Sequence, residues 1–449
     1  FPNGLYEGQQ MQQLPAILAN RIADKGPVRV GVIGAGKFGS MFLNQVPFSP
    51  HLSVAVIADL DPDRARIACR TVGWQDDLIS RTRFTDDGMD LIADPAVEVV
   101  MEITGSPAAG CSHALAAAQH GKHIVMVNVE ADVLAGPVLA DAHRSAGTVY
   151  SMASGDQPAL VCEIVDWART CGLDIVCAGK GTRYQPEFHD VTPDDVWTHY
   201  GLAPEQAAAA GMNSQMFNSF LDGTKSAIEM AAIANATGLN APSDGLKFPA
   251  VDFDSLQNLL IPADAGGMLD GEGFVEVIAS EHRGETTEMH NHLRWGVYAV
   301  FKAPNRYARD CFLQYGLKTD QSGYYAAMYR PYHLIGLELG VSAANAAIRG
   351  EATGSTAEWR GDVVAVAKKD LTAGETLDGE GGYTAWGKLM PADASHRSRA
   401  LPIGLAHGVS LIHPVKHGAT ITYDDVGPLP DNAAAACRQK LENSAVFSK

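Results

Sequence analysis

Nowhere in the chain do about 18 apolar residues follow one another, the least that a membrane-spanning helix needs. The opening stretch, F-P-N-G-L-Y-E-G, lacks the charged and apolar segments of a secretion signal. Cysteine is unpatterned: seven residues, at 69, 111, 162, 171, 177, 311 and 437, with no C-x-x-C pair. An odd, scattered set excludes a disulfide framework and a zinc site, and fits reduced thiols in a cytoplasmic protein. Positive charge is also short, with 34 lysines and arginines against 52 acidic side chains and a net charge of −18. Such a surface repels nucleic acids and anionic membranes, so neither is an expected partner. A small phosphorylated ligand stays open, because a few cations reverse the sign inside one cleft. Internal repeats, low-complexity tracts and coiled-coil heptads are absent.

At 449 residues the chain exceeds one ordinary core, which implies two or three domains. Its most informative stretch is Val28 to Ser40, V-R-V-G-V-I-G-A-G-K-F-G-S. An apolar strand runs into Gly34-x-Gly36-x-x-Gly39, and a helical pattern opens at Phe38, next to Lys37. In a dinucleotide-binding turn the first glycine makes the bend and the second lets backbone approach a pyrophosphate. The third lets helix and strand pack closely, and the helix N-terminus meets the phosphate charge. Asp59, ending the second apolar run about 20 residues beyond Gly39, stands where an acid accepts a ribose hydroxyl. A nicotinamide dinucleotide is the expected cofactor. Asp59 favours NAD, whereas nearby Arg64 and Arg66 offer a partner for the extra phosphate of NADP.

From residue 28 to about 154, strand patterns (28–33, 53–58, 97–103, 123–127, 148–152) alternate with helical ones (38–46, 61–72, 107–120, 136–146). A further helix is expected over 8–23. Alternation with short links predicts a parallel sheet covered on both faces, with its strand ends gathered on one ligand-binding edge. Thr104, Gly105 and Asn128, just past strand ends, should border the cofactor there. Residues 155 to 355 are mixed. A helix capped by Asp156 is followed by a strand over 175–178 leading to a Gly179-Lys180-Gly181-Thr182 turn. Helices are expected at 204–211, 213–236 and 331–348, and strands at 274–278 and 292–301. Residues 356 to 449 carry short glycine-punctuated strands (363–367, 409–412, 420–422) and a terminal helix over 431–441.

Three runs resemble the homoserine-dehydrogenase-like oxidoreductases: V-V-M-E-I-T-G (99–105), G-K-H-I-V-M-V-N-V-E-A-D (121–132) and S-G-D-Q-P (154–158). The tail resembles a SAF-type domain through A-K-K-D-L-T-A-G-E-T-L (367–377), L-P-I-G-L-A-H-G (401–408) and V-K-H-G-A-T-I (415–421). The combination most closely resembles the deoxyxylulose-phosphate reductoisomerase-like (DRL) enzymes. These are dimers that convert 1-deoxy-D-xylulose 5-phosphate to 2-C-methyl-D-erythritol 4-phosphate with NADPH, in isoprenoid synthesis. The resemblance implies an α/β chain in three parts. Residues 1–154 would be a Rossmann-type parallel-sheet domain with an N-terminal helix, and 155–355 an α+β substrate and dimerisation domain. Residues 356–449 would be a small β (SAF-like) domain. It tips the cofactor towards NADPH and the assembly towards a homodimer. Two departures stand out. Val129 occupies the place of the lysine in the N-K pair of these families, and the metal-binding D-S-E-H motif of standard reductoisomerases is absent. A divalent ion, Mg2+ or Mn2+, therefore has no ligands to inherit, and the metal site is unknown.

The implied reaction needs a hydride donor, a group that stabilises an ene-diolate or alkoxide, and cations for a phosphate. Lys180 and Lys225 are the candidate catalytic cations, with a solvated surface-turn lysine and a solvated helix end as their alternative readings. Asp156 reads as an acid near the nicotinamide or as a plain helix cap, with Gln157 beside it as a substrate contact. Glu130 and Asp132, two apart after a strand end, suit general acid/base work or hard-cation ligation. Arg294, Lys302 and Arg330 are candidate substrate cations, Arg330 because it precedes an expected helix start between Tyr329 and Tyr332. His290 and His292 would share one face of a strand, a weak metal pair, and His413 and His417 are weaker still. Two rival functions accompany the DRL one. The first is a related NAD(P) oxidoreductase acting on another small hydroxy or sugar acid; the second is a non-catalytic NAD(P)-binding sensor.

Overall fold

The computed structural model describes residues 14–209 and 212–444. Helix α1 (Leu14–Lys25) comes first, and residues 8–13 of the expected N-terminal helix lie outside the described residues. Six strands follow: β1 (Val28–Ile33), β2 (Leu52–Ala58), β3 (Arg83–Thr85), β4 (Val99–Glu102), β5 (His123–Met126) and β6 (Tyr150–Met152). They form one sheet in the order β3-β2-β1-β4-β5-β6, parallel throughout. This is the doubly wound order, with the chain reversing direction beside β1 and a crevice at that point. Crossovers are made by α2 (Lys37–Gln45), α3 (Pro62–Thr71), α4 (Asp76–Arg81), α5 (Gly88–Ala93), α6 (Pro107–Gln119) and α7 (Val129–Ala146).

The expected start of α7 at Gly136 is corrected by seven residues. Asn128 caps the helix by accepting the Ala131 N–H at 3.1 Å, and buried Val133, Leu134 and Val138 carry it through Pro137. Gly-Pro reads as a start signal locally, but packing overrides it.

The second region is built on β7 (Asp174–Thr182), β8 (Phe274–Ala279), β9 (Val297–Lys302) and β10 (Tyr325–Arg330), ordered β10-β9-β7-β8. Around this sheet lie α8 (Gln157–Thr170), α9 (Val196–Tyr200), α10 (Pro204–Ala209), α11 (Ser214–Leu221), α12 (Thr224–Thr237), α13 (Leu256–Leu259), α14 (Arg306–Gln314) and α15 (Leu339–Ala344). Three expectations change. The helix over 213–236 is two helices, because Gly223 at φ +90° turns the chain between α11 and α12. The helix over 331–348 is an irregular segment, 331–338, then α15 and a π-helical turn (Asn345–Arg349). Gly336 at φ +83° interrupts any earlier start. The strand over 292–301 begins only at Val297.

The last region holds β11 (Gly361–Ala367), β12 (Thr376–Asp378), β13 (Ala385–Pro391), α16 (Ala392–Ser398), β14 (His407–Ser410) and α17 (Ala433–Ser444). β11 pairs with β13 and β12 with β14, both antiparallel, and Thr420 and Thr422 form only isolated bridges. This region is packed into the rest: β11 and β13 lie on α12, and α17 lies on α6 and α7. Helix α12 is the hub. It is buried on nearly every side, and its alanines at 227, 231, 232 and 234 admit neighbours closely; a Cβ on Gly361 would stand 3.2 Å from the Ala231 backbone. Among the described residues no helix is long and apolar enough to cross a membrane.

Candidate active site at the domain junction

The glycine loop folds as its spacing requires. Gly34 has φ +98°, and a Cβ there would meet the Ile103 carbonyl oxygen at 2.9 Å. On Gly39 it would meet the Gly34 carbonyl oxygen at 2.2 Å, so helix and strand pack closer than any side chain permits. A Cβ on Gly36 would meet no atom within 4 Å, which leaves open space before the uncapped N-terminus of α2 at Lys37 and Phe38. That cradle fits a pyrophosphate. Asp59 is placed differently from a free ribose acceptor. Its Oδ2 accepts the Ala35 N–H at 2.9 Å, and its Oδ1 accepts the Asp61 N–H and the Arg64 guanidinium at 2.7 Å. The carboxylate thus ties the glycine loop to β2, and Arg64, itself largely exposed, shields it.

At the ends of β4 and β5 the loops are stitched together. Thr104 donates to Glu102 at 2.6 Å, and Asn128 Nδ2 donates to the Ser106 carbonyl at 2.8 Å and to Thr104. Gly105, at φ +71°, makes the turn between them. Glu102 is fully buried, also faces His113 Nδ1 at 3.1 Å, and leaves Oε2 without a partner.

Against this edge stand the two lysines. Lys180 lies within β7 rather than in a turn after it, because the β7 pairings with β8 and β9 continue past Gly179. Gly179 and Gly181 permit this: a Cβ on Gly179 would fall 1.8 Å from the Glu276 carbonyl oxygen of β8, and one on Gly181 2.0 Å from the Leu293 carbonyl oxygen in the loop before β9. Lys180 ion-pairs with Glu229 of α12, both buried. Lys225, one turn earlier on α12, ion-pairs with Glu130 in the first turn of α7, just past β5. Asp156 caps α8, accepting the Gln157 N–H at 2.9 Å, and faces Glu229, Lys225 and His333. The four candidate catalytic residues therefore converge on one junction. The Glu130–Asp132 pair does not act together: both lie on α7, where a two-residue step turns the side chains apart. Asp132 points inward to Tyr150 and Thr356, each at 2.8 Å.

Arg330 ends β10 in register with Val297 and Lys180, so it shares their end of the sheet; it starts no helix and pairs with Glu338. The segment after it bridges the two domains: a Cβ on Gly336 would strike Met41, and one on Gly155 would strike the Leu334 carbonyl. Arg294 pairs with Glu288 at 2.9 Å and lines an open cleft of about 730 Å³ with Arg183, Glu281, His290 and His292. His290 and His292 sit in a loop before β9, not on one strand face, and His292 faces Glu288. Lys302 is not part of the site. It pairs with Glu272 at the Asp174 end of β7, about 20 Å along the strand from Lys180. His413 and His417 contact Asp424 and Asp190 at the surface. Among the described residues no group of three or more His, Cys, Asp or Glu is arranged to hold a metal ion. The residues present do not fit Mg2+ or Mn2+.

Electrostatics sharpen the cluster. Burial alone would pull the Lys225 ammonium down, but Glu130, Glu380, Glu229 and Asp156 outweigh it and hold it well above the usual lysine range. Burial and the Glu229 carboxylate push Asp156 up to about 6. Glu229, Glu380 and His333 escape sequence reasoning, since no motif marks them. Only the one-turn spacing of Lys225 and Glu229 hints that they share a helix face.

Residues 28–127 match a family model described as an oxidoreductase family with an NAD-binding Rossmann fold, and residues 155–339 match the catalytic domain of the oxidoreductase DRL. Fold and matches define an oxidoreductase with a nicotinamide-dinucleotide-binding domain and a DRL-type catalytic domain. A curated relative, the 1-deoxy-D-xylulose 5-phosphate reductoisomerase of Pseudomonas syringae pv. syringae, is 29% identical over 207 residues. That covers 39% of this chain and 52% of the relative, so the chain spans about half the length of the curated relative it matches. Among solved structures, a probable dehydrogenase from Thermotoga maritima is 15% identical, covering 72% of this chain and 90% of that one, with a TM-score of 0.38. A DOX-P reductoisomerase in complex with magnesium is 14% identical, covering 48% and 58%, with a TM-score of 0.33.

Proposed function

We propose that the chain is an NADPH-dependent reductoisomerase that converts 1-deoxy-D-xylulose 5-phosphate to 2-C-methyl-D-erythritol 4-phosphate in isoprenoid biosynthesis, acting as a cytoplasmic homodimer. The observation that carries this reading is the Lys225–Glu130 pair, which joins the DRL-type domain to the edge of the dinucleotide-binding sheet. Bound at the glycine loop, the reduced dinucleotide supplies hydride. Gly36 and the α2 N-terminus hold its pyrophosphate, and Arg64 is the partner for the 2′-phosphate. Lys180 and Lys225 stabilise the oxyanions of the rearranging ketol, a role that preorganised cations fill well inside a water-poor junction. Asp156 and Glu130 hold and return protons there. Arg294, Arg330 and Gln157 orient the phosphorylated substrate. Purified protein given deoxyxylulose phosphate should oxidise NADPH in step with methylerythritol phosphate formation, read by absorbance and mass spectrometry. No oxidation, with or without Mg2+ or Mn2+, would refute the reading.

One observation favours a second reading, an oxidoreductase acting on another small hydroxy or sugar acid. Every cation at the junction already has a carboxylate: Lys180 with Glu229, Lys225 with Glu130, Arg183 with Glu281, Arg294 with Glu288, Arg330 with Glu338. A phosphate must break some of these pairs. A substrate screen following NAD(P)H absorbance separates the two.

A further inference from the structure

The C-terminal region holds the start of α12, the helix that carries Lys225 and Glu229. This helix has no side-chain cap at its N-cap, Gly223, which stands at φ +90°. The turn is fixed instead by Asp222, whose Oδ1 accepts the Thr224 N–H at 2.9 Å. Asp222 is fully buried and ion-paired at 2.7 Å with Lys368, the residue just after β11. Lys368 Nζ also donates to the Val191 carbonyl at 2.8 Å and to the Gly382 carbonyl at 2.9 Å. One buried ammonium thus commits its three donors to joining the C-terminal region to the second one. Beside it the loop 378–382 is hooked onto α11: Gln215 Nε2 donates to the Asp378 and Glu380 carbonyls at 3.0 and 2.9 Å, and Asn218 Nδ2 donates to the Gly381 carbonyl at 2.9 Å. A second clasp lies one residue before Lys225, where the Gly387 N–H of β13 donates to Oγ1 of the fully buried Thr224 at 2.8 Å. The approach is close: a Cβ on Gly387 would stand 2.8 Å from Thr224 Cγ2. Residues 222 and 224 are therefore each held from the C-terminal region, and the next residue, Lys225, reaches Glu130 across the junction.

We propose that Lys368 is a positioning residue for the reaction: through Asp222 and Thr224 it fixes where Lys225 stands, so the site is incomplete without the C-terminal region. The inference rests on the reductive reading above, in which Lys225 stabilises a developing oxyanion. A donor does this only if it is already aimed when the charge appears, and a misplacement of about 1 Å costs on the order of 100-fold in rate. The first turn of a helix is where aim is lost most easily, because its N–H groups have no partners within the helix and its end frays. Lys225 lies in that turn of α12, and Gly223 before it adds no restraint of its own. The restraint comes from Lys368 on Asp222 and from Gly387 on Thr224. Lys368 acts through these neighbours and not by contact with the reacting atoms.

The test compares wild type, the double variant Lys368→Met/Asp222→Asn and Thr224→Val, all in the full chain. The double variant removes both buried charges together, so neither is stranded, and the amide at 222 still accepts the Thr224 N–H. Thr224→Val keeps the shape and removes only the acceptor of the Gly387 N–H. With deoxyxylulose phosphate and NADPH, kcat should fall about 10- to 100-fold in the double variant and less in Thr224→Val, with KM and NADPH affinity within about threefold of wild type. Wild-type kcat in either variant would overturn the proposal, as would a loss that merely follows the unfolded fraction in a thermal melt. Lys225 is read without turnover by acetylation with acetic anhydride and peptide mass spectrometry. Its amine should react severalfold faster in both variants, because it is no longer held against Glu130. Wild-type protection of Lys225 in either variant would overturn the proposal too. If the double variant does not fold, Thr224→Val carries both readouts. If wild type turns over nothing, the reductoisomerase reading falls, and the acetylation arm still decides whether the C-terminal region holds Lys225.

Discussion

Single charges at the junction have large leverage because they are buried and paired. Removing one partner of a buried ion pair costs about 3–5 kcal/mol, since the other is left as an uncompensated charge. Lys225→Met strands Glu130 in this way and also removes an oxyanion donor, an effect on the order of 10²–10³-fold in kcat. We expect that loss with NADPH affinity, read by fluorescence titration, unchanged within about threefold; an active Lys225→Met enzyme would remove the lysine from the mechanism. At the other end of the cofactor, Asp59 is spent on the Ala35 N–H and Arg64. Hydrogen bonds to charged groups contribute about 1.5–3 kcal/mol, or roughly 10- to 100-fold in binding. Arg64→Ala should weaken NADPH by about that factor and leave NADH nearly untouched. Equal weakening of both would argue that Arg64 serves only Asp59.

The elements show why glycine and alanine recur at the contacts that matter. In α2 the Gly39→Ala methyl would have to share space with the Gly34 carbonyl, and nothing there is flexible enough to yield. Helix and strand would separate, so dinucleotide affinity should collapse together with the thermal midpoint; retained affinity would mean the loop closes differently on its ligand. In α12 the constraint comes from packing on several sides at once. Ala231→Leu forces β11 away from the helix, an overpacking cost of about 1–3 kcal/mol measurable by denaturant titration. Because α12 also carries Lys225 and Glu229, the same change should lower kcat even though residue 231 points away from the junction. An unaffected rate would show that the lysines are held independently of the core.

For the molecule as a whole, proton linkage sets the pH at which it is most stable. Glu276 and Glu380 are raised by burial to about 7 and about 8. A carboxyl raised on folding stabilises fully below its unfolded value, and that contribution is lost as pH rises through the folded value. His143 acts in the opposite sense. Burial between Thr148 and the Ala114 carbonyl lowers it to about 4, so its contribution is present above about 6.5 and lost as pH falls towards 4. Between about pH 4.5 and 6.5 the two carboxyls outweigh the single histidine, and above that only they titrate, so the thermal midpoint should decline as pH rises from about 5 to about 8.5 in calorimetry of the cofactor-free protein. A midpoint still rising at about pH 8.5 would contradict this balance.

The dinucleotide loop, the alternating sheet and the residues at its strand ends were legible in the sequence because their causes are local. A glycine that must bend, a run of valines and isoleucines, and an acid one strand later act over a few residues. The convergence of Lys180, Lys225, Asp156 and Glu130 could be guessed only residue by residue, as each follows a strand end or opens a helix. What decided the rest was contact between distant segments. β7 running on through Lys180 and the loop at 378–382 hooking onto α11 both depend on neighbours more than 40 residues away. Side chains that act by facing one another across domains carry no mark in their own surroundings, so Glu229, His333 and Glu380 became visible only once the chain was packed.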